Sequence, residues 1–302
     1  MIISVSYLFV PRPADGVDPE PPTYTTAVGV LAVMRVTFLG TGSAMPLPDR
    51  MQTGLLVESD DRSLLVDCGS GVLNRLANTD VGYEGVGTVL LTHHHLDHVS
   101  DLLALLKARW LAGETHLEVV GPTGTKRLLD GLLDVHDYLQ GRVDLQVREV
   151  TAGSFEVAGF EVEARETRHS TDCLAYRFAG DGGGDDGTGD DDGGTDGEER
   201  AAAERRDFVF SGDTEAFEGL ANFADGAAVL AHDCSFPDEV DVSNHPTPSQ
   251  LGAALAGHDV GRVYLTHLYP HTEGKHEEML ASVGNRYDGD VRFARDGLRV
   301  DI

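Results

Sequence analysis

Three kinds of feature are scarce in this sequence of 302 residues, and the scarcity of two of them excludes a class of protein outright. The only cysteines are Cys68, Cys173 and Cys234, an odd number without tight spacing. A disulfide framework is therefore excluded, and a reducing, intracellular setting is favoured. No apolar run approaches the ~20 residues that a membrane span requires, so we expect a cytoplasmic protein with no membrane partner.

Basic residues are the third scarcity. Lysine and arginine number 23 against 51 aspartates and glutamates, which gives a net charge of −28. Such charge destabilises a compact state through self-repulsion unless salt screens it, and at molar salt the Debye length falls to about 3 Å. We therefore predict a halophilic cytoplasmic protein, with an acidic protein that binds basic partners as the alternative. The same charge argues against broad, non-specific binding of nucleic acid.

Composition divides the chain into one domain and two atypical segments. Residues 1–33 include the proline- and acid-rich stretch 11–26, so we expect a disordered or misannotated extension, with Met34 as a candidate start. Residues 34–302 are expected to form one domain. Within it, 180–197 consists of nine glycines, seven aspartates and two threonines, and with the two glutamates that follow it predicts a flexible acidic loop over 180–199.

Strand-like and helix-like segments alternate from residue 35 onward, which indicates an α/β protein. Strands are predicted over 35–40, 53–58, 63–69, 87–92, 116–122, 144–150, 154–159, 160–167, 207–213, 227–235 and 262–268. Helices are predicted over 99–113, 123–139, 247–258 and 276–287.

The sequence THHHLDH, residues 92–98, is the most informative motif. His93 and His95 are two residues apart at the end of a predicted strand, so their side chains can project the same way. Asp97 and His98 follow at the start of the predicted helix. Imidazole and carboxylate are ligands that zinc prefers, whereas His94 should point away and is predicted not to be a ligand. An exposed histidine-rich turn is the alternative.

A histidine or an aspartate follows each of three other predicted strands, which argues against an exposed histidine-rich turn. His169 ends a strand in ETRHS, Asp213 ends one in FVFSGDT, and His267 ends one in VYLTHL. Each comes after a short apolar run, so all three should emerge at the same rim of a buried sheet.

These motifs resemble those of the metallo-β-lactamase-fold hydrolases, through THHHLDH, RHS, SGDT, THL and the early LLVDCGSG that contains Asp67. The resemblance implies a four-layer αβ/βα sandwich, with two mixed β-sheets flanked by helices and the site at their common edge. It implies two metal ions, zinc by default with manganese or iron open, and Asp67 as the group that orients a ligand histidine. The implied ligands are His93, His95 and His169 for one ion, Asp97, His98 and His267 for the other, and Asp213 as the bridge.

Three further stretches, 36–46, 119–129 and 232–255, resemble the ribonuclease Z and phosphodiesterase branch of that superfamily. By this resemblance His245 would protonate the leaving oxygen or bind the phosphate, Asp233 would orient His245, and Asp97 would also act in catalysis. The chain departs from the branch in having Asp233 where glutamate is usual, and Pro246-Thr247 where Ser-Thr is usual.

A second departure concerns RNA. Enzymes of this branch carry a protruding basic arm that grips transfer RNA, in one subgroup between the residues that correspond to His169 and Asp213. Here that interval holds the Gly/Asp segment, followed by Arg200, Arg205 and Arg206. Aspartates repel phosphates, so no tRNA-gripping arm is expected. Members of the superfamily are often dimers, which leaves a homodimer open.

Three functions remain at this stage. The first is a dinuclear zinc phosphodiesterase or nuclease of ribonuclease Z type, acting on RNA 3′ ends or small phosphodiesters. The second is a non-phosphate hydrolase with the same site, such as a thioesterase, a lactonase or an arylsulfatase-like enzyme. The third is a non-catalytic binding protein on a degenerate scaffold, which the presence of all seven expected ligands disfavours.

Overall fold

Two seven-stranded β-sheets pack face to face in the computed structural model, which describes residues 33–180, 206–240 and 242–302. The expectations for residues 1–32 and for the loop beyond Gly180 lie outside the described residues. Helices cover the outer face of each sheet, as the two outer apolar clusters demonstrate. The predicted four-layer αβ/βα architecture with two mixed sheets is confirmed.

The first sheet contains the N-terminal strands and the last strand of the chain, in the order β14-β1-β2-β3-β4-β5-β6. These strands are β1 (Arg35–Gly40), β2 (Gly54–Ser59), β3 (Arg62–Val66), β4 (Thr88–Leu90), β5 (His116–Gly121), β6 (Asp144–Glu149) and β14 (Arg299–Asp301). Strands β3 to β6 run parallel to one another, and the remaining pairs are antiparallel.

The second sheet has the order β13-β12-β11-β10-β9-β8-β7. Its strands are β7 (Gly153–Val157), β8 (Phe160–Glu166), β9 (Leu174–Phe178), β10 (Phe208–Phe210), β11 (Val229–Asp233), β12 (Arg262–Thr266) and β13 (Val291–Phe293). Strands β10 to β13 run parallel, and the other pairs are antiparallel.

Seven α-helices lie among the described residues. They are α1 (Val72–Leu76), α2 (Leu96–Val99), α3 (Leu102–Ala112), α4 (Thr125–Val135), α5 (Glu218–Ala224), α6 (Pro248–Leu255) and α7 (His276–Gly284). No helix in this part of the chain is long and apolar enough to cross a membrane.

The continuous apolar runs of the central strands follow from burial on both faces. In β3, Leu64 and Val66 point into the cluster between the sheets, while Leu65 points into the cluster beneath the helices. In β10, Phe208 and Phe210 fill the inter-sheet layer and Val209 faces the opposite way. Strands buried on both faces read as unbroken hydrophobic runs, which is why these segments were predictable.

The helix predicted over 99–113 is wrong in its boundaries. A short helix, α2, already contains Asp97 and His98, and the chain breaks at Ser100 and Asp101 before α3 begins. The Asp101 carboxylate accepts hydrogen bonds from the backbone N–H groups of Gly71 and Leu73, at 2.8 and 3.0 Å. These bonds hold the loop before α1 against the histidine loop and prevent one continuous helix.

The predicted Thr-Pro start of the helix near residue 247 is present in atomic detail. Thr247 caps α6, Pro248 is its first residue, and the Gln250 side chain accepts a hydrogen bond from the backbone N–H of Thr247 at 2.9 Å. This capping box fixes the direction in which the chain enters the helix immediately after His245.

The carboxyl ends of the parallel strands of both sheets lie at one edge of the sandwich. Two backbone hydrogen bonds join the sheets there, from Leu174 N to Thr92 O and from Leu268 N to Thr41 O, both at 3.0 Å. In open α/β sheets this edge is where ligands bind, because the loops that follow the strands converge on it.

Candidate metal centre

The histidine loop follows β4 and carries its functional side chains inward. His93 and His98 are completely buried and Asp97 is nearly so. His95 has an extended backbone and forms the N-terminal boundary of α2, so Asp97 and His98 lie in the first turn of that helix. This local geometry turns the loop around a single point at the sheet edge.

One cluster of possible metal ligands brings together His93, His95, His169 and Asp213, with one nitrogen or oxygen of each within 4.8 Å of the others. His169 follows β8 and Asp213 follows β10, so three separate loops supply the cluster. The closest approach is 3.2 Å, between His169 Nε2 and His95 Nδ1. Four separate predictions from the sequence therefore meet at one place.

A second cluster consists of Asp97, His98 and His267. His267 follows β12, and its Nε2 lies 3.1 Å from Asp97 Oδ2. His267 adopts a left-handed backbone with φ of 58°, which is uncommon outside glycine and turns its ring back toward the site.

Asp213 lies between the two clusters. One of its oxygens is 3.2 Å from His98 Nε2, and the other is 3.3 Å from His267 Nε2 and 3.7 Å from His93 Nε2. A single buried carboxylate therefore faces histidines from both groups, which is the geometry that a bridging ligand requires.

The donor set fits metal ions. Among the described residues, the buried Nε2 atoms of His93 and His98 make no hydrogen bond, although a carboxylate is near each of them. Buried ring nitrogens without partners are costly, and a cation held between them and the carboxylates would satisfy both. Burial, followed by the neighbouring His98, lowers the pKa of His93 well below its ordinary value, so this imidazole is neutral and offers a lone pair.

The charges of the clusters are also those of a cation site. Burial alone would raise the pKa of Asp213, but His267, His98 and His93 together lower it well below the usual value. Burial would lower the pKa of His98, but Asp213 and Asp67 outweigh it and raise that pKa well above its ordinary value. The Asp213 carboxylate is thus ionised and draws positive charge into a buried space.

Asp67 lies behind the second cluster, at the end of β3. Its carboxylate is 2.7 Å from His98 Nδ1 and accepts hydrogen bonds from the backbone N–H and the hydroxyl of Thr92, both at 2.8 Å. A carboxylate on Nδ1 fixes the ring so that Nε2 points into the cluster. The sequence did not single out Thr92, the residue that holds Asp67 in place.

His245 and Asp233 form a pair beside the two clusters, and with Asp213 and His267 they make a third group of possible metal ligands. His245 Nδ1 is 2.7 Å from Asp233 Oδ2, and the His245 ring centre is 5.3 Å from that of His267 and 5.2 Å from that of His169. Burial would lower the pKa of His245, but the Asp233 carboxylate overcomes this and raises it to about 9. The shorter aspartate thus still reaches the histidine at a position where the resembled branch usually has glutamate.

His94 points out of the site. Its Nε2 is 2.8 Å from the Thr125 hydroxyl at the start of α4, and it belongs to neither cluster. This placement agrees with its omission from the predicted ligands.

Two further features of the site were missed by sequence reasoning. Phe236 and Tyr269 stack with ring centres 4.5 Å apart. The Tyr269 ring centre is 6.0 Å from that of His245, so the two aromatic rings form one wall of the site. A cavity of about 330 Å³ opens against His169 and is lined by hydroxyl side chains and by the carboxylates of Glu166 and Asp172, with no lysine or arginine in its wall. The hydroxyl residues are Thr123, Thr151, Thr167, Ser170 and Thr171.

The amino-acid sequence is similar to those of known proteins. The profile of the family described as Anti-Pycsar protein Apyc1 matches residues 34–284. A ribonuclease Z of Mycobacterium avium is 31% identical over 297 residues, which cover 89% of this chain and 99% of that protein.

Solved structures show the same fold. The metallo-β-lactamase-fold protein YhfI from Bacillus subtilis superposes with a TM-score of 0.69 at 24% identity, covering 89% of this chain and all of YhfI. The short form of human tRNase Z gives a TM-score of 0.65 at 21% identity, covering 88% of this chain and 98% of that one.

Proposed function

Since this chain has the metallo-β-lactamase fold and belongs to the family described as Anti-Pycsar protein Apyc1, with ribonuclease Z among its relatives, we propose that it is a dinuclear metal-dependent phosphodiesterase. The observation that carries the proposal is the His245–Asp233 pair beside two clusters of possible ligands. Asp213 belongs to the first cluster, and its carboxylate also lies 3.2 and 3.3 Å from His98 and His267 of the second. Phosphodiester hydrolysis needs both a stabilised negative charge and a proton for the leaving oxygen, and this arrangement offers both.

In this proposal His93, His95 and His169 hold one divalent ion, Asp97, His98 and His267 hold the other, and Asp213 joins them. Nitrogen and carboxylate donors favour zinc, and manganese or iron suits the same donors less specifically. A bound pair of ions would supply an activated water and would stabilise charge on the phosphate oxygens. Asp67 and Thr92 hold His98 in the tautomer that leaves Nε2 free.

His245 acts as the general acid. Asp233 accepts a hydrogen bond from Nδ1–H of His245, so Nε2–H is the proton available for the leaving oxygen. The raised pKa keeps His245 protonated at neutral pH, as an acid requires. The stacked ring of His267 holds the imidazole plane, and Phe236 and Tyr269 keep bulk water from one side of it.

The surroundings of the site favour small phosphodiesters over long RNA. The cavity against His169 is lined by hydroxyls and by the carboxylates of Glu166 and Asp172 and lacks basic residues, so it does not favour a row of phosphates. In the groove beside it, Lys126 and Arg127 are outnumbered by four carboxylates. The sequence between His169 and Asp213 adds aspartates rather than lysines. A substrate with one phosphate and a hydroxyl-bearing or uncharged remainder matches this lining best.

A panel of substrates tests this proposal. Metal-loaded protein in molar KCl is expected to hydrolyse bis(p-nitrophenyl) phosphate and cyclic AMP faster than a precursor tRNA with a 3′ trailer, a thioester or an aryl sulfate. High salt is used because the net charge of −28 requires screening. If the thioester or the sulfate outpaces every phosphodiester, the proposal is wrong, and the non-phosphate hydrolase replaces it.

The pH profile tests the acid. Because His245 must be protonated to act, the alkaline limb of kcat/KM should fall as the pH rises through its pKa, at or below pH 9, since bound cations would lower the value. Asp233→Asn removes the charge that raises this pKa, while burial, which lowers it, remains. The fall should therefore begin at lower pH in this variant. An NMR titration of His245 in metal-free protein measures the same shift independently, and equal pKa values in the two proteins would contradict the assignment.

A further inference from the structure

Two of the candidate ligand histidines are held from behind by residues next to the acid pair. The Nδ1 atom of His169 is 3.2 Å from the backbone oxygen of Asn244, which immediately precedes His245. The Nδ1 atom of His267 is 2.9 Å from the hydroxyl of Ser235, which lies two residues after Asp233. The parts of the chain that carry the acid thus also support ligands from each cluster.

Ser235 occupies the centre of this arrangement. It is completely buried, and its hydroxyl oxygen is 2.6 Å from Asp233 Oδ1, in addition to its contact with His267 Nδ1. A hydroxyl has one proton to donate and lone pairs with which to accept. The Ser235 hydroxyl oxygen also lies 3.0 Å from the backbone oxygen of His267 and 3.3 Å from His245 Nδ1. The shortest contact is with Asp233, whose carboxylate can only accept, so we assign the hydroxyl proton to Asp233 and let Ser235 accept from His267 Nδ1–H.

This assignment of protons has consequences for His267 and for Asp233. With its proton on Nδ1, His267 presents the lone pair of Nε2 to Asp97 and Asp213, where a metal ion would lie. Asp233 uses its other oxygen, Oδ2, for His245 and also receives the backbone N–H of Thr214 at 3.2 Å. One hydrogen-bonded chain therefore runs from His267 through Ser235 and Asp233 to His245.

We propose that Ser235 is a positioning residue that sets the tautomer of His267 and the orientation of the His245–Asp233 acid pair together. The inference rests on the proposed function, because it assigns roles to an acid and a ligand of that site. It predicts that metal retention and leaving-group protonation depend on the same buried hydroxyl. Neither the family motifs nor the strand pattern singles out this serine.

The test compares Ser235→Ala with Ser235→Thr, which keeps the hydroxyl, and with Ser154→Ala, an exposed serine far along the chain. The first readout is the rate at which metal-loaded protein releases ions to a chelator. We expect Ser235→Ala to release part of its metal about 10- to 100-fold faster than the parent protein, because His267 loses the partner of Nδ1. Ser235→Thr and Ser154→Ala should stay close to the parent protein.

The second readout separates a positioning role from a merely structural one. Diphenyl phosphate has a more basic leaving phenolate than bis(p-nitrophenyl) phosphate and needs the acid more. Ser235→Ala should lower kcat for diphenyl phosphate by about 10- to 100-fold, with a much smaller loss for the nitrophenyl ester and little change in KM. Ser235→Thr keeps the hydroxyl and should therefore keep kcat for diphenyl phosphate close to that of the parent protein. If Ser235→Ala does not fold, the threonine variant still tests the inference.

Three results would overturn the inference. They are unchanged metal release in Ser235→Ala, an equal loss of kcat on both esters, or a folded Ser235→Thr that performs no better than alanine. His245→Ala measured on the same two esters separates the inference from the proposed function. If His245→Ala shows the leaving-group dependence and Ser235→Ala does not, only the role of Ser235 fails. If neither shows it, the proposed acid fails as well.

Discussion

Replacing Asp213 with asparagine is expected to lower kcat/KM on a phosphodiester by on the order of a thousandfold and to deplete the protein of metal. The Asp213 carboxylate faces His98, His267 and His93 at 3.2, 3.3 and 3.7 Å. It is buried and ionised, so the amide removes a negative charge that both clusters share. Metal content after gel filtration, measured together with turnover, checks the prediction.

Asp61→Asn is the matched control for that experiment. Asp61 is exposed in the turn between β2 and β3 and makes no hydrogen bond or ion pair within the described part of the chain. The same chemical change there should leave metal content and turnover at parental values. An Asp213→Asn protein that is folded, keeps two ions per chain and turns over normally would mean that the two clusters are not joined through this carboxylate.

Much of the sandwich was predictable because its strands are local patterns. The run over 63–69 reads as a strand since Leu64, Leu65 and Val66 are all buried, on alternating faces. Strand β9 was missed, although Leu174–Phe178 is almost as apolar. It lies directly between the loop of His169 and the Gly/Asp segment, and five residues with an arginine among them make only a short strand pattern.

The short strands at the sheet edges were missed for a different reason. Strand β14 has three residues and pairs with β1, although the two strands lie at opposite ends of the domain's sequence. Three residues are too few for an alternation to register, and the partner that makes them a strand is remote in sequence. Strand β13 also has three residues, and among the described strands it pairs with β12 at the edge of the second sheet. Tertiary contact rather than local propensity decides such elements.

The meeting of the seven candidate ligands follows from a topological rule that sequence can use. Parallel strands end at one edge, so polar residues that follow apolar runs collect there. Ser235 also follows a parallel strand, β11, but the rule assigns it no role, and Asn244 lies outside the rule. Ser235 matters because of His267, 32 residues further on. Asn244 acts through a backbone oxygen that any residue has, and only its positive φ of 73° favours asparagine at that position.

Removing the imidazole of His245 should produce the second large effect, and its size should depend on the leaving group. For an alkoxide or phenolate of high basicity we expect His245→Ala to lower kcat by roughly 10²- to 10⁴-fold, the range for loss of a positioned general acid. For p-nitrophenolate, which leaves without a proton, the loss should be far smaller. His245 belongs to neither of the two clusters to which the ions are assigned, so the metal content of this variant should equal that of the parent protein.

The chain offers a matched control in His116, which pairs with Asp144 at 2.9 Å on the exposed edge of the first sheet. His116→Ala removes a histidine from a His–Asp pair of similar length without touching the site, and it should not change turnover on either ester.

The comparison also decides between the two hydrolase hypotheses. A thioester hydrolase with this metal site would lose little on His245→Ala, because a thiolate needs less help from an acid. A lactone releases an alkoxide that also takes up a proton, so a lactone added to the substrate panel, rather than this variant, identifies a lactonase. A phosphodiesterase must protonate a strongly basic oxygen, and His245 is the protonated imidazole that the structure places beside both clusters, 5.2 and 5.3 Å from the rings of His169 and His267.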